Sequence, residues 1–498
     1  MSKFFLIIFV MTGMIILKIT DMKKTILFIA LFLLGVIMAE AKVTLPSFFS
    51  DNMVLQQNTE AAIWGWTDSG KKVTITTTWT GVKTVATPDE SGKWFVRLQT
   101  PAAGGPYKIF ITDGERITLN NVLIGEVWFC SGQSNMEMPV KGFNAQPVKG
   151  STDFILGAKP STPIRMCTIE KKPALSPVQE SKGSWEENTP EAVTGTSAAA
   201  YFFAVKLQES LGVPVGLLIT DWGGSTIETW MSREVISGKF PGEFDLGFLD
   251  GTEMPQMCMH TPCTLFNGQV APLIPFTFKG MLWYQGESNR GRAEQYVRLQ
   301  KEYVAMMRDL FQNPDAPFYF VQIAPYPYDN PDSWVSGYLC EAQEKSLEVI
   351  PHSGMVTTLD IGEFGTIHPS KKQEIGYRLA YLALVNDYGM KGITAKAPTF
   401  ESVKFENGNA VVTFNTYDNM GLSPAVIELK GFEVAGSDKV FHPATARILG
   451  WNNQVVVNCP EVTTPVAVRY CFRNWGEGTL FNNYGIPVGP FRTDNWDL

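Results

Sequence analysis

The sequence predicts an α/β protein: a parallel sheet covered by helices, with one β-rich module before it and another after it. Three observations lead there. Short apolar runs recur through the middle of the chain, at 127–130, 215–220, 280–284, 318–323 and 355–359, as expected of strands buried on both faces. Helical segments lie between them, at 197–211 and 293–311, the second placing Tyr296, Leu299, Tyr303, Met306 and Leu310 on one face. Toward both ends the helical pattern gives way to short β-rich stretches and turn signals, which sets the accessory modules apart from the strand–helix alternation.

At 498 residues the chain exceeds one ordinary core, so an enzyme-sized domain with one or two accessories is expected. Residues 1–41 read as a signal region. Their apolar stretches, 4–17 and 25–38, each fall short of the roughly 20 residues that span a bilayer. Met22-Lys23-Lys24 before the second stretch and Ala39-Glu40-Ala41 after it have the anatomy of a secretory signal. Translation from Met22 and cleavage after Ala41 give an exported chain beginning at Lys42, periplasmic or extracellular and without stable membrane insertion; a two-segment anchor is the alternative. Residues 42–119 then read as a small sandwich, with 73–76 following Asp68-Ser69-Gly70 and 94–98 following Asp89-Glu90-Ser91-Gly92. Residues 120–391 carry the α/β alternation. From 392 to 498 the chain is β-rich again, and Glu406-Asn407-Gly408-Asn409 between 403–405 and 410–414 signals a hairpin.

Charge and cysteine usage narrow the function. With 41 Lys and Arg against 49 Asp and Glu the net charge is −8, and no dense basic run is present to track a phosphate backbone, which argues against a nucleic-acid partner. Of the seven cysteines, Cys258 and Cys263 either bridge in an oxidising compartment or are buried thiols. Adding His260 makes only three zinc ligands without a second cluster, so no metal is expected.

In an open α/β sheet, ligands sit beyond the carboxyl ends of the strands. Four such places carry chemistry. Ser134 follows 127–130 in Gly132-Gln133-Ser134-Asn135-Met136, as a nucleophile or a helix cap. Gly223 and Gly224 follow 215–220, where amides without side chains can approach an oxyanion or simply form a turn. Gln285 and Asn289 follow 280–284 as side-chain donors, with Glu287 bracing their loop. His368 follows 355–359, beside Pro369, which suits a first helical position. Each signal alone is weak. A nucleophile, oxyanion donors and a base, each at a strand end, together make an acyl-transfer site.

These residues resemble the SGNH (GDSL-like) hydrolases, of flavodoxin-like fold, and within them the sialate O-acetylesterase family. The resemblance is carried by 132–136, by Trp283-Tyr284-Gln285-Gly286-Glu287-Ser288-Asn289, by Ile367-His368-Pro369 and by 265–275, and runs from about Leu45 to the C-terminus. It implies a carbohydrate O-acetylesterase with Ser134 as nucleophile, His368 as base, and the Ser134 amide, the Gly224 amide and Gln285 around the oxyanion, Gly223 and Asn289 being alternatives. The implied substrate is O-acetylated sialic acid, with acetyl xylan or another acetylated glycan as alternatives, a non-catalytic glycan-binding protein as a remoter one, and no cofactor. Arg290 and Arg292 are candidate readers of a sialate carboxylate. The sequence departs from the family at the acid that orients the histidine: the positions three and two before His368 are Gly365 and Thr366. Asp360, Glu363 or a backbone carbonyl remain to fill that place.

Overall fold

Strands β1 (Arg116–Gly132), β2 (Ile164–Thr168), β3 (Trp185–Glu187), β4 (Val215–Asp221), β5 (Gly280–Tyr284), β6 (Phe318–Val321) and β7 (Ser353–Val356) form the central sheet of the computed structural model, in the order β3-β2-β4-β1-β5-β6-β7. All neighbours pair in parallel except β3, which runs antiparallel to β2. Residues 43–417, 421–424, 428–450 and 453–496 are described; the expected signal region and its cleavage site lie outside them. Leaving aside β2 and β3, which lie beyond β4, the chain order across the sheet is 2-1-3-4-5, the flavodoxin-like order.

The apolar runs are explained by burial on both faces. Along β1, Val127 and Phe129 point into one core, shared with Trp283, Phe320 and the apolar face of helix α3; Trp128 and Cys130 point into the other, shared with Ile219, Tyr284 and the helices opposite. Period-two alternation persists, but both faces meet helices, so no polar residue interrupts the run. In chain order, α1 (Ser134–Glu137) follows β1, and α2 (Ala198–Leu211) packs beside α5 (Lys372–Asn386) on one face of the sheet. On the other face α3 (Ala293–Leu310) lies against α4 (Val335–Val349). No helix among the described residues is long and apolar enough to cross a membrane.

The N-terminal module consists of two facing sheets, but its boundary differs from the expected 119/120. β1 starts inside the module, paired with Gly104–Thr112, and continues unbroken to Gly132 in the central sheet. Asn120 and Asn121 mimic a turn in the sequence. Asn121 does adopt φ 53°, yet the strand continues past it. After α5 the chain is β-structured throughout. In the expected hairpin Asn407 and Gly408 (φ 49° and 73°) form the two-residue turn between Thr399–Glu406 and Asn409–Asn415. All seven cysteines are buried thiols, Cys258 and Cys263 included.

Candidate active site

Register brings the three predicted turns together. Gly132 lies opposite both Asp221 of β4 and Tyr284 of β5, so the three strands end on one line and their following residues emerge side by side. Gly132 has φ 150°, and a Cβ there would lie 2.2 Å from the Tyr284 carbonyl oxygen, so only glycine lets the backbone turn out of the sheet at this point. Gln133 then fixes the neighbouring turn: its Oε1 accepts from the amides of Gly286 and Ser288 (3.1 and 3.4 Å). Ser134 opens helix α1, whose N-cap side chain makes no capping bond. The Ser134 amide is therefore an orphan donor of a helix start.

His368 arrives from the loop after β7. Its Nε2 lies 2.8 Å from Ser134 Oγ. The loop is held by Thr366 Oγ1, which accepts from the His368 amide (3.1 Å), and by Asn135 Nδ2, which donates to the Ile367 carbonyl (3.2 Å). Glu363 braces it further, accepting from the Ser370 amide and hydroxyl (2.8 and 2.5 Å). This bracing keeps 368–371 out of helical conformation, so the helix expected to open at Pro369 begins at Lys372.

Neither acid considered for the place behind the histidine, Asp360 or Glu363, bonds to it among the described residues. His368 Nδ1 lies 2.6 Å from Oε1 of Gln146, a residue the sequence reading passed over. Asp360 pairs instead with Arg378, each of its oxygens accepting one bond (2.8 and 2.6 Å). Glu363 turns one oxygen, Oε1, to Ser370. Gln146 sits in the connection after α1, a loop with no periodicity or motif, and only folding brings it to His368.

The glycine turn after β4 passes Ser134, a Cβ on Gly223 falling 3.6 Å from that of Ser134. Gly223 N–H is taken by Glu137 Oε2 (2.5 Å), whereas Gly224 N–H has no protein partner among the described residues. Its neighbouring carbonyl is fixed by Ser288 Oγ and His260 Nε2 (2.8 and 3.0 Å). Gln285, expected as an oxyanion donor, is fully buried and gives its Nε2 hydrogens to the Ser225 carbonyl and to Asn289 Oδ1 (3.0 and 2.7 Å). Asn289 in turn donates to Glu228 Oε2 and accepts from the Ile227 amide (both 3.0 Å). Both side chains brace the glycine turn from beneath. Arg292 is likewise committed, to Glu228 (2.7 Å) and Gln295 (2.8 Å). Arg290 lies flat over the Tyr328 ring, 3.3 Å from its centroid. Arg292 is thus held in an ion pair, whereas the ring contact of Arg290 leaves its N–H donors unengaged among the described residues, its buried Nε included.

Burial sets the electrostatics. It pushes the His368 pKa down to about 4, with Lys372 adding to the effect and Glu137 opposing it. The imidazole is thus neutral at pH 7, as a base must be. Lys372 is itself buried and pushed down to about 7, with Glu287 and Glu363 opposing. Asn135 links the pair: its Oδ1 accepts from Lys372 Nζ (2.5 Å) and its Nδ2 donates to Glu287 Oε1 (2.7 Å). Burial raises the Glu287 carboxyl. Nearby, burial raises Asp221 to about 6 although Lys171 pairs with it (3.2 Å).

Similarity to known proteins agrees with this geometry. Residues 124–384 match the model of a family described as carbohydrate esterase, sialic acid-specific acetylesterase. The mouse sialate O-acetylesterase is 28% identical, covering 86% of this chain and 89% of its own; the human one is 27% identical, covering 86% and 87%. The crystal structure of a carbohydrate acetylesterase from Xanthomonas citri superposes with a TM-score of 0.82 at 32% identity, over 91% of this chain and 100% of that one. A family match over more than half of the chain, on the segment that carries Ser134, Gly224 and His368, shows that the chain belongs to the carbohydrate esterases of the sialic acid-specific acetylesterase family.

Proposed function

We propose that this chain is an exported SGNH-type serine O-acetylesterase that removes acetyl groups from O-acetylated sialic acid through an acetyl-enzyme. The observation that carries the reading is the 2.8 Å approach of His368 Nε2 to Ser134 Oγ; the Ser134 and Gly224 amides have no protein partner among the described residues. His368 takes the hydroxyl proton as Ser134 Oγ attacks the acetyl carbonyl carbon, and the Ser134 and Gly224 amides receive the oxyanion. Collapse breaks the bond to the sugar oxygen, which takes the proton back from Nε2. Water, deprotonated by the same nitrogen, then attacks the acetyl carbon; the bond to Ser134 Oγ breaks, Oγ takes the proton from Nε2, and acetate leaves. Export is supported by the signal-like pattern of residues 22–41.

The sialate reading is supported by the names of the mammalian relatives. A second reading, an ester of a neutral glycan such as acetyl xylan, is favoured by the commitment of Arg292 to Glu228. Acetate release from O-acetylated sialic acid and from acetyl xylan, with wild type and Ser134→Ala side by side, separates the two. A higher kcat/KM on acetyl xylan overturns the sialate assignment and keeps the esterase.

A further inference from the structure

We propose that Gln146 is the positioning residue of the catalytic pair, its uncharged carboxamide taking the place of the usual acid and setting the pH range over which His368 is a base. The proposal rests on the reading of Ser134 and His368 as nucleophile and base. A carboxamide oxygen only accepts, so a 2.6 Å contact to Nδ1 requires the proton on Nδ1. Nε2 then presents its lone pair to Ser134 Oγ, the tautomer that acylation needs.

The turn that carries Gln146 is built to hold it. Gly142, at φ 82°, has no room for a Cβ, which would fall 2.3 Å from the Gln146 carbonyl oxygen. The Gln146 amide donates back to the Phe143 carbonyl (3.1 Å), and Ala145 adopts φ 58° between them. Phe143 sets its ring edge-on to the imidazole, centroids 5.2 Å apart. Further on, the Lys149 amide donates to the Ser370 carbonyl (2.9 Å), which ties the turn to the histidine loop. Packing from both sides and a backbone link fix the distance between the carboxamide and the ring.

The charged groups around His368 make the missing charge matter. Helix α5 brings Lys372, and α1 brings Glu137, which is itself paired with Lys171 (2.5 Å) and backed by Asp221. The histidine's own loop brings Glu363, whose Oε1 is bonded to Ser370 and whose charge acts on Lys372, and Asp360, paired with Arg378. The 142–148 turn brings no charge at all. Protonated His368 therefore meets a dipole on Nδ1 and a cation beyond it. Such an imidazole stays unprotonated in acid, and the proton it gains during attack is held less tightly than beside a carboxylate.

The test uses the full chain and titrates its histidine imidazoles by nitrogen NMR, the four histidines being assigned with a His368→Gln variant. The expected wild type shows the Nδ1–H tautomer at pH 7 and a kcat/KM that is flat from neutrality down to about pH 5. Gln146→Glu is expected to raise the His368 pKa, and with it the acid limb of kcat/KM, by about one unit or more. Gln146→Ala is expected to lower kcat by about tenfold or more with KM nearly unchanged, as the ring loses its orientation. Gln146→Asn, which keeps the carboxamide but shortens its reach, is expected to fall between. Melting curves identify any variant that has not folded, and the titration of Gln146→Glu decides the matter if Gln146→Ala is one of these. An unmoved His368 pKa in Gln146→Glu, or wild-type kcat in a folded Gln146→Ala, overturns the proposal. If Ser134→Ala retains acetate release, the assignment of Ser134 as nucleophile falls instead, while the NMR titration still reports on Gln146.

Discussion

Ser134 and His368 are joined by one 2.8 Å contact, and most of the polar side chains around them are committed to keeping it. The clearest consequence at residue scale concerns Asp360. Its carboxylate is held by Arg378, so Asp360→Asn is expected to leave kcat within about twofold while costing roughly 1–3 kcal/mol of stability, read by kinetics and denaturant melts on the same sample. A triad acid replaced in this way would instead cost orders of magnitude in kcat. Gln285→Ala is expected to lower stability and kcat together, since it frees the Ser225 carbonyl beneath the glycine turn; a pure oxyanion donor would lower kcat alone, by roughly 10²-fold. Ser134 and His368 were legible in the sequence because each follows an apolar run at a strand end. Gln146 was not: it lies 222 positions from His368, in a turn whose neighbours carry no chemistry. The engagement of Arg290 and Arg292 was equally hidden, because Tyr328 and Glu228 reach them only through the fold.

At the scale of the element, the site depends on how β1, β4 and β5 end. Gly132→Ala places a methyl group against the Tyr284 carbonyl at a backbone angle that disfavours any side chain. A loss of about 2–3 kcal/mol and a marked fall in kcat are expected, measured by melts and turnover; unchanged values would show that the turn has room to shift. The central strands were readable because both faces are buried. The two strands beyond β4 were not: Arg165 interrupts β2, and β3 spans three residues. Helix α4 escaped because Gly337 sits in its first turn, where a Cβ would fall 2.8 Å from the Phe472 ring; the glycine answers to tertiary packing, not to helix propensity.

The whole molecule is more continuous than its three expected segments imply. β1 belongs to two layers, and the C-terminal β region is bonded into the catalytic one: Asn474 accepts from the Ser336 amide and hydroxyl and donates to the Asn330 carbonyl, Thr357 donates to the Pro487 carbonyl, and Arg492 pairs with Glu341. Truncation after residue 391 is therefore expected to yield insoluble or unfolded protein rather than an active core, a result read by solubility and circular dichroism. Composition and turn signals located the β-rich ends, but not the shared strand, since Asn120-Asn121 looks like a turn in one dimension. The account as a whole stands on one residue within this frame. Acetate release from an aryl acetate by wild type and by folded Ser134→Ala tests it most directly: the variant is expected to fall to the uncatalysed background, and a variant that keeps even a tenth of wild-type turnover contradicts Ser134 as the nucleophile.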